Sequence, residues 1–216
     1  MTRRLLLTLG GLSACLALVS AQTGIPRAPV SVQLLAINDL HGHLEPPSGA
    51  NGRVNDTAAG GSEYLATHLK DAVARNPNSL IVAAGDLIGA SPLISGLFRH
   101  EPAIESMNAM NLAVTSVGNH EFDRGPRELL RLQRGGCHPT EGCVGGERFA
   151  GARFQFLSAN VLNTATGAPL LPATAIRTVG GVRIGFIGET LKGTKETPIW
   201  TAARISAARL RRSRSG

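Results

Sequence analysis

Three short groups of residues carry side chains able to hold a cation or move a proton: Asp39-Leu40-His41, Gly85-Asp86, and Gly118-Asn119-His120-Glu121-Phe122-Asp123. Carboxylate, imidazole and amide oxygen together suit Mn, Zn, Fe or Co better than thiolate-loving metals. Two such ions about 3.5–4 Å apart would clamp a phosphate and lower the pKa of a bound water to generate the nucleophile. Asp86, on the middle group, is the candidate bridge between them. His120, beside the phosphate as an imidazolium, would stabilise developing charge or protonate the leaving oxygen. Asp123, three residues on, would orient that imidazole. Taken singly these groups say little, because a Gly-Asp pair is usually a turn and an Asp-x-His usually a hydrogen-bonded pair. Their joint placement sets them apart.

Each group follows a segment that reads as a strand. Residues 30–38 (VSVQLLAIN) are β-branched and apolar, 79–84 (SLIVAA) form a short continuous apolar run, and 113–117 form a third. Between them, 62–76 reads as a helix, with Tyr64, Leu65, Leu69, Ala72 and Val73 at helical spacing and Pro77 beyond its end. Residues 104–110 suggest a second helix and 126–134 a third, with a proline in its first turn. Residues 51–61, polar and glycine-rich, read as a loop. Strands follow at 154–159, 173–179 and 182–187, the last two joined by Gly180-Gly181 as a hairpin. Strands alternating with helices imply an α/β sheet covered on its faces. The three groups would then sit past the C-terminal ends of successive strands, the edge where open α/β sheets bind ligands.

Asp39-x-His41, Gly85-Asp86 and Gly118-Asn119-His120-Glu121-x-Asp123 resemble the N-terminal metallophosphoesterase domain of bacterial periplasmic 5'-nucleotidases and UDP-sugar hydrolases. Supporting stretches match as well: Gly60-Gly61, Ser91-Pro92-Leu93, Met107-Asn108, Leu157-Ser158-Ala159-Asn160 and Gly185-Phe186-Ile187-Gly188. The resemblance covers about residues 32–198. It implies a four-layer α/β/β/α sandwich, truncated here, and a metal-dependent hydrolase of phosphate esters, above all nucleotides. It implies two divalent metal ions, with Asp39, His41 and Asp86 on one, Asp86 bridging to a second that also uses Asn119, and His120 with Asp123 as the catalytic dyad. Related scaffolds also carry 2',3'-cyclic nucleotide phosphodiesterases and thiosulfate-ester hydrolases. The family completes its metal site with further histidines downstream, in a Gly-His motif and a His-x-His or His-x-Gln pair, whereas this sequence has no histidine after His138. The alternative expectation is therefore an exported, catalytically incomplete remnant.

Of the other histidines, His43 reads as a loop residue near the site, His68 as lying along the first helix near its buried face, and His100 as surface. Cys137 and Cys143, six positions apart in a Gly- and Pro-rich loop, are expected to close a small disulfide ring. A Cys/His metal site with His138 is the rival, and its spacing matches no structural zinc pattern.

The 216 residues carry a net charge of +7, but residues 22–198 hold 15 Lys+Arg and 15 Asp+Glu, so the basic excess belongs to the two ends. A nucleic-acid partner is excluded for the body on that ground. Residues 1–21 pair Arg3-Arg4 with a 15-residue apolar stretch and a Val-Ser-Ala end, the pattern of a secretory signal peptide, too short for a stable membrane span. Export to the periplasm or the extracellular space follows. A buried N-terminal helix would not need the Arg pair. A lipobox reading, with lipid on Cys15, is disfavoured by the apolar residues that follow it. Residues 22–29 read as a linker and 30–198 as the N-terminal portion of the metallophosphoesterase domain. Residues 199–216, rich in Arg, Ala and Ser, read as an aberrant tail from a shifted reading frame, with a basic surface-binding helix as the rival. Oligomeric state is not encoded in any pattern found.

Overall fold

The computed structural model describes residues 28–196 and 203–205. The leader expected at residues 1–21 lies outside them. The first strand, β1, spans Gln33–Ile37. A two-stranded ribbon, β2 (Arg53–Val54) and β3 (Thr57–Ala58), follows within the stretch expected to be loop. Helix α1 runs Gly61–Arg75 and leads into β4, Ser79–Ala83. A one-turn helix α2 (Leu93–Gly96) precedes α3, Glu101–Ala109. Strand β5 is Leu112–Ser116, α4 is Gly125–Arg134 and β6 is Gln155–Leu157. The short β7, Val161–Asn163, precedes the hairpin strands β8 (Thr174–Val179) and β9 (Val182–Ile187), and β10 is Ala203–Ile205.

The central sheet is β1-β4-β5-β6, parallel throughout. Parallel strands need crossovers, and α1, α3 and α4 supply them. Those helices bury Leu69, Ile104, Met107, Leu129 and Leu132 against Ile81, Leu112 and Phe156, which forms the main core. Leu35 and Ile37 of β1 pack against the same core, while Leu34 points the other way and is exposed. On the opposite face the β8–β9 hairpin lays Ala175 and Phe186 against Val82, Val114 and Leu157. The described residues thus give a helix layer, a parallel sheet and a second β layer. Gly180 (φ 56°) and Gly181 (φ 76°) both adopt the left-handed backbone that a two-residue hairpin turn requires, as their sequence predicts.

Leu112 and Val114 lie two apart yet face opposite sides of the sheet. The pairing explains it: Ile81 is registered with Leu112 and Val82 with Val114, so Ala113 is an extra residue in β5. The carbonyl of Ala113 accepts from Arg177 of the hairpin at 3.1 Å, which ties the bulge to the second layer.

Several expectations shift at element ends. The second helix begins at Glu101, not 104, because His100 turns the chain with φ 63° and Pro102 fits the first turn. Strand 154–159 shortens to β6, because Ser158 and Asn160 leave the ladder to bond Thr190 beyond β9. Tyr64 is exposed, so the buried stripe of α1 is Leu69 and Ala72, with Leu65, Ala66 and Val73 partly covered. Within the segment read as a tail, Ala203–Ile205 pairs antiparallel with Val161–Asn163. The rest of residues 199–216 lies outside the described residues. Among the described residues no helix is long and apolar enough to cross a membrane.

The expected disulfide is present: Cys137 and Cys143 are joined, with Cα atoms 4.4 Å apart. An ion-pair network supports the same region. Arg131 donates to both Glu128 oxygens at 2.9 and 2.8 Å, to Glu101 at 2.5 Å and to the Gly136 carbonyl at 2.8 Å. Three buried charges that satisfy each other bind α3, α4 and the start of the disulfide loop.

Candidate metal centre

The strand pairing does not stop where β1 and β4 end. Asp39 N–H donates to the Gly85 carbonyl at 3.1 Å, His41 N–H to Asp86 at 2.9 Å and Gly42 N–H to Leu87 at 2.8 Å. The first two chemical groups are therefore held side by side by backbone bonds. Asp39, His41 and Asp86 all have positive φ (52°, 48° and 51°), a region that non-glycine residues rarely occupy. Three such residues within one site mark strain that the surrounding bonds must maintain.

The third group closes on the second from across the sheet. His120 N–H donates to Asp86 Oδ1 at 2.9 Å. Glu121 is buried and takes three backbone donors: Asp86 N–H at 2.9 Å, Leu87 N–H at 2.8 Å and Gly118 N–H at 2.7 Å. Burial pushes its carboxyl up to about 7, partly offset by those amides. Sequence reading assigns Glu121 no role. Its only signal is position within the third group, and two of its three donors, Asp86 and Leu87, come from a segment more than thirty residues away.

His41, Asp86 and His120 each offer a ligand atom, all within 4.8 Å of one another. His41 Nδ1 lies 2.8 Å from the Gly89 carbonyl, so it carries the proton and leaves Nε2 as the free donor atom. Asp39 Oδ1 is 3.9 Å from His41 Nε2, with its carboxylate exposed. Asn119 is half-buried at the start of the short helical turn His120–Phe122. Two imidazoles and a carboxylate, with the Asp39 carboxylate beside His41, offer a donor set that fits a first-row divalent cation. The geometry places His120 in the three-donor cluster alongside His41 and Asp86, whereas the sequence suggests a charge-stabilising or proton-donating group beside the phosphate.

His120 Nδ1 is 3.0 Å from Asp123 Oδ2. That bond is the largest influence on His120 and raises its pKa above the ordinary imidazole value, against a smaller opposing effect of burial. The structure thus brings His120 and Asp123 into hydrogen-bond contact.

The remaining histidines divide. His43 is half-buried in the loop after the first group. His68 is exposed on α1, where it lines a hollow of about 580 Å³ with Leu40, Tyr64 and Leu65. His100 is 5% exposed, which corrects its expected place on the surface. Charged neighbours make it look external, but Arg99 pairs with Glu141 and Glu101 with Arg131. His100 Nδ1 bonds the Ser91 hydroxyl at 3.1 Å, and burial, reinforced by Arg124, pushes its pKa down to about 4. His138 sits beside the disulfide, its backbone bridged to Gly142, and does not share a metal cluster with the cysteines among the described residues.

The sequence pattern of the calcineurin-like phosphoesterases matches residues 32–166. An uncharacterized protein from the pqq-V 5' region of Acinetobacter calcoaceticus is 45% identical over 168 residues, a span of 72% of this chain and 82% of that protein. Endonuclease YhcR of Bacillus subtilis is 42% identical over 167 residues, which are 76% of this chain and only 13% of the endonuclease. The 5'-nucleotidase precursor of Thermus thermophilus superposes with a TM-score of 0.64 at 28% identity, covering 82% of this chain and 32% of that one.

Proposed function

Because the chain belongs to the calcineurin-like phosphoesterase family, we propose that it hydrolyses phosphate esters with the help of divalent metal ions, and that nucleotides are its substrates. One observation carries this reading: His41, Asp86 and His120 converge within 4.8 Å at the C-terminal ends of three parallel strands. The nucleotide preference draws on the Thermus nucleotidase precursor, of which this chain spans a third, and so extends furthest from the residues themselves.

Asp39, His41, Asp86 and Asn119 would hold the metals, with Asp86 as the bridge. The metals supply charge neutralisation at the phosphate and a more acidic water. The protein's own contribution is positional. Glu121 fixes the Asp86 turn through three amides. Asp123 holds the His120 ring through Nδ1, and its charge favours the imidazolium. As the water oxygen bonds to phosphorus and the ester oxygen departs, His120 Nε2 gives its proton to that leaving oxygen. General-acid catalysis of this kind contributes about 10²–10⁴-fold.

The disulfide supports export to an oxidising compartment, where such bonds persist. The test of function is metal content together with Mn-stimulated hydrolysis of p-nitrophenyl phosphate and AMP, in the full chain and in Asp86→Ala. Metal and activity in the former, with both lost in the latter, is the expected result. A full chain that binds metal but releases no phosphate from either ester would sink the proposal.

A further inference from the structure

One peptide unit lies between the two site histidines. The Gly89 carbonyl accepts from His41 Nδ1 at 2.8 Å. The next atom pair of the same planar unit, the Ala90 N–H, donates to Asp123 Oδ2 at 3.0 Å. That same oxygen accepts from His120 Nδ1 at 3.0 Å. A continuous path therefore runs from His41 through the Gly89–Ala90 peptide and Asp123 to His120. The two rings stand edge to face, with centroids 4.8 Å apart and planes at 77°.

We propose that the Gly89–Ala90 peptide is a positioning unit that sets the two imidazoles in register, so that both are held by Nδ1 and both keep Nε2 free. The inference rests on the assignment of His41 as a metal ligand and His120 as the proton donor. A peptide is well suited to this task. Its carbonyl and amide are rigidly opposed, so a shift in one bond is transmitted to the other, and no rotamer change can absorb it.

The local backbone is built for the purpose. Gly89 has φ 85° and Ala90 φ 44°, so two successive residues occupy the left-handed region. For alanine that conformation is sterically unfavourable, and it persists only where other contacts enforce it. Gly89 is also crowded. A Cβ there would collide with the His120 carbonyl and stand 2.6 Å from Asp123 Oδ2 and 2.7 Å from His120 Cβ. Any side chain at position 89 would thus push on the very residues that the peptide orients. The same segment continues into Ser91, whose hydroxyl meets the buried His100, so the peptide is anchored behind the site as well.

Nitrogen NMR of the histidine rings in the metal-free protein tests this without reference to catalysis. In the native chain both Nδ1 atoms should carry a hydrogen-bonded proton, His41 as the neutral Nδ1–H tautomer and His120 with Nε2 protonated as well when its ring is charged. Gly89→Ala should disturb both rings together and lower kcat on p-nitrophenyl phosphate about tenfold or more. Asp123→Asn should release His120 and also move the Ala90 amide proton, which shares its acceptor. Two results would overturn the proposal: Gly89→Ala lowering Tm while both ring patterns and kcat persist, or Asp123→Asn altering His120 with the Ala90 amide unmoved. A chain with no phosphatase activity but intact ring coupling would count against the hydrolase reading alone.

Discussion

The Glu121 carboxylate lies beneath the Asp86 turn and accepts the amide hydrogens of both Asp86 and Leu87, with its Oε2 also taking Gly118 N–H. Asp86 thus holds its left-handed backbone because a buried acid 35 residues away satisfies it. Glu121→Ala would leave three backbone donors, one buried and two part-buried, without their partner, each worth about 1–3 kcal/mol. A loss of at least about 3 kcal/mol is expected, together with weaker Mn binding as the Asp86 turn relaxes. Glu121→Gln should fall between, because its one oxygen can serve the Asp86 and Gly118 amides but its NH2 opposes Leu87. Urea unfolding and metal titration of the three proteins provide the check. Equal Mn affinity in all of them would separate Glu121 from the site.

His100 predicts how stability responds to acid. Its folded pKa is pushed down from 6.5 to about 4, first by burial and then by Arg124, against smaller pulls from Glu128 and Asp123. A depressed base binds its proton more readily in the unfolded chain, so the neutral ring favours folding at pH above 6.5. That advantage is lost as pH falls from 6.5 to about 4. After allowance for solvent screening, the loss amounts to about 2 kcal/mol. Urea unfolding of metal-free protein across that window should show the decline, and His100→Gln should flatten it. An unchanged slope in the variant would assign the acid sensitivity to other groups.

These two residues also show where the sequence stops being legible. Asp39, His41, Asp86, Asn119, His120 and Asp123 could be named as candidates because each follows an apolar strand, and parallel strands deliver their C-terminal ends to one edge. The task of Glu121 could not be read, because its partners are backbone amides and backbone carries no sequence signal. His100 reads as surface because the charges beside it are neutralised by Glu141 and Arg131, residues distant in the chain. The bulge at Ala113 is likewise invisible, as it depends on register against β4 and on a donor from β8. Local pattern thus brings the candidate residues to one sheet edge, while the groups that hold them in place depend on long-range contacts.

The Cys137–Cys143 bond closes a seven-residue ring whose Glu141 reaches Arg99 at the start of α3. Constraint of so small a loop in the unfolded chain is worth about 2 kcal/mol. Reduction, or Cys137→Ser with Cys143→Ser, should lower stability by about that amount and leave kcat unchanged, because no site residue lies in the ring. Unfolding with and without a thiol reductant, alongside phosphatase assays, measures both. A parallel fall in kcat would show that the ring supports the site through Arg99 and His100.

His120 has two candidate tasks, and one substitution separates them. It lies with His41 and Asp86 in a three-donor cluster, yet its Nδ1 is committed to Asp123 and its backbone N–H to Asp86. A ring oriented by a carboxylate and raised in pKa is suited to giving up a proton beside a departing oxygen. His120→Asn keeps the backbone bond to Asp86 and removes the ring. As a proton donor, its loss should reduce kcat about 10²–10⁴-fold while metal content and affinity stay native. The deficit should shrink on esters whose leaving group is already acidic, such as p-nitrophenyl phosphate, and be largest on AMP, whose leaving oxygen needs the proton. If His120→Asn instead purifies without metal and both substrates suffer alike, His120 is a ligand, and the proton must come from elsewhere.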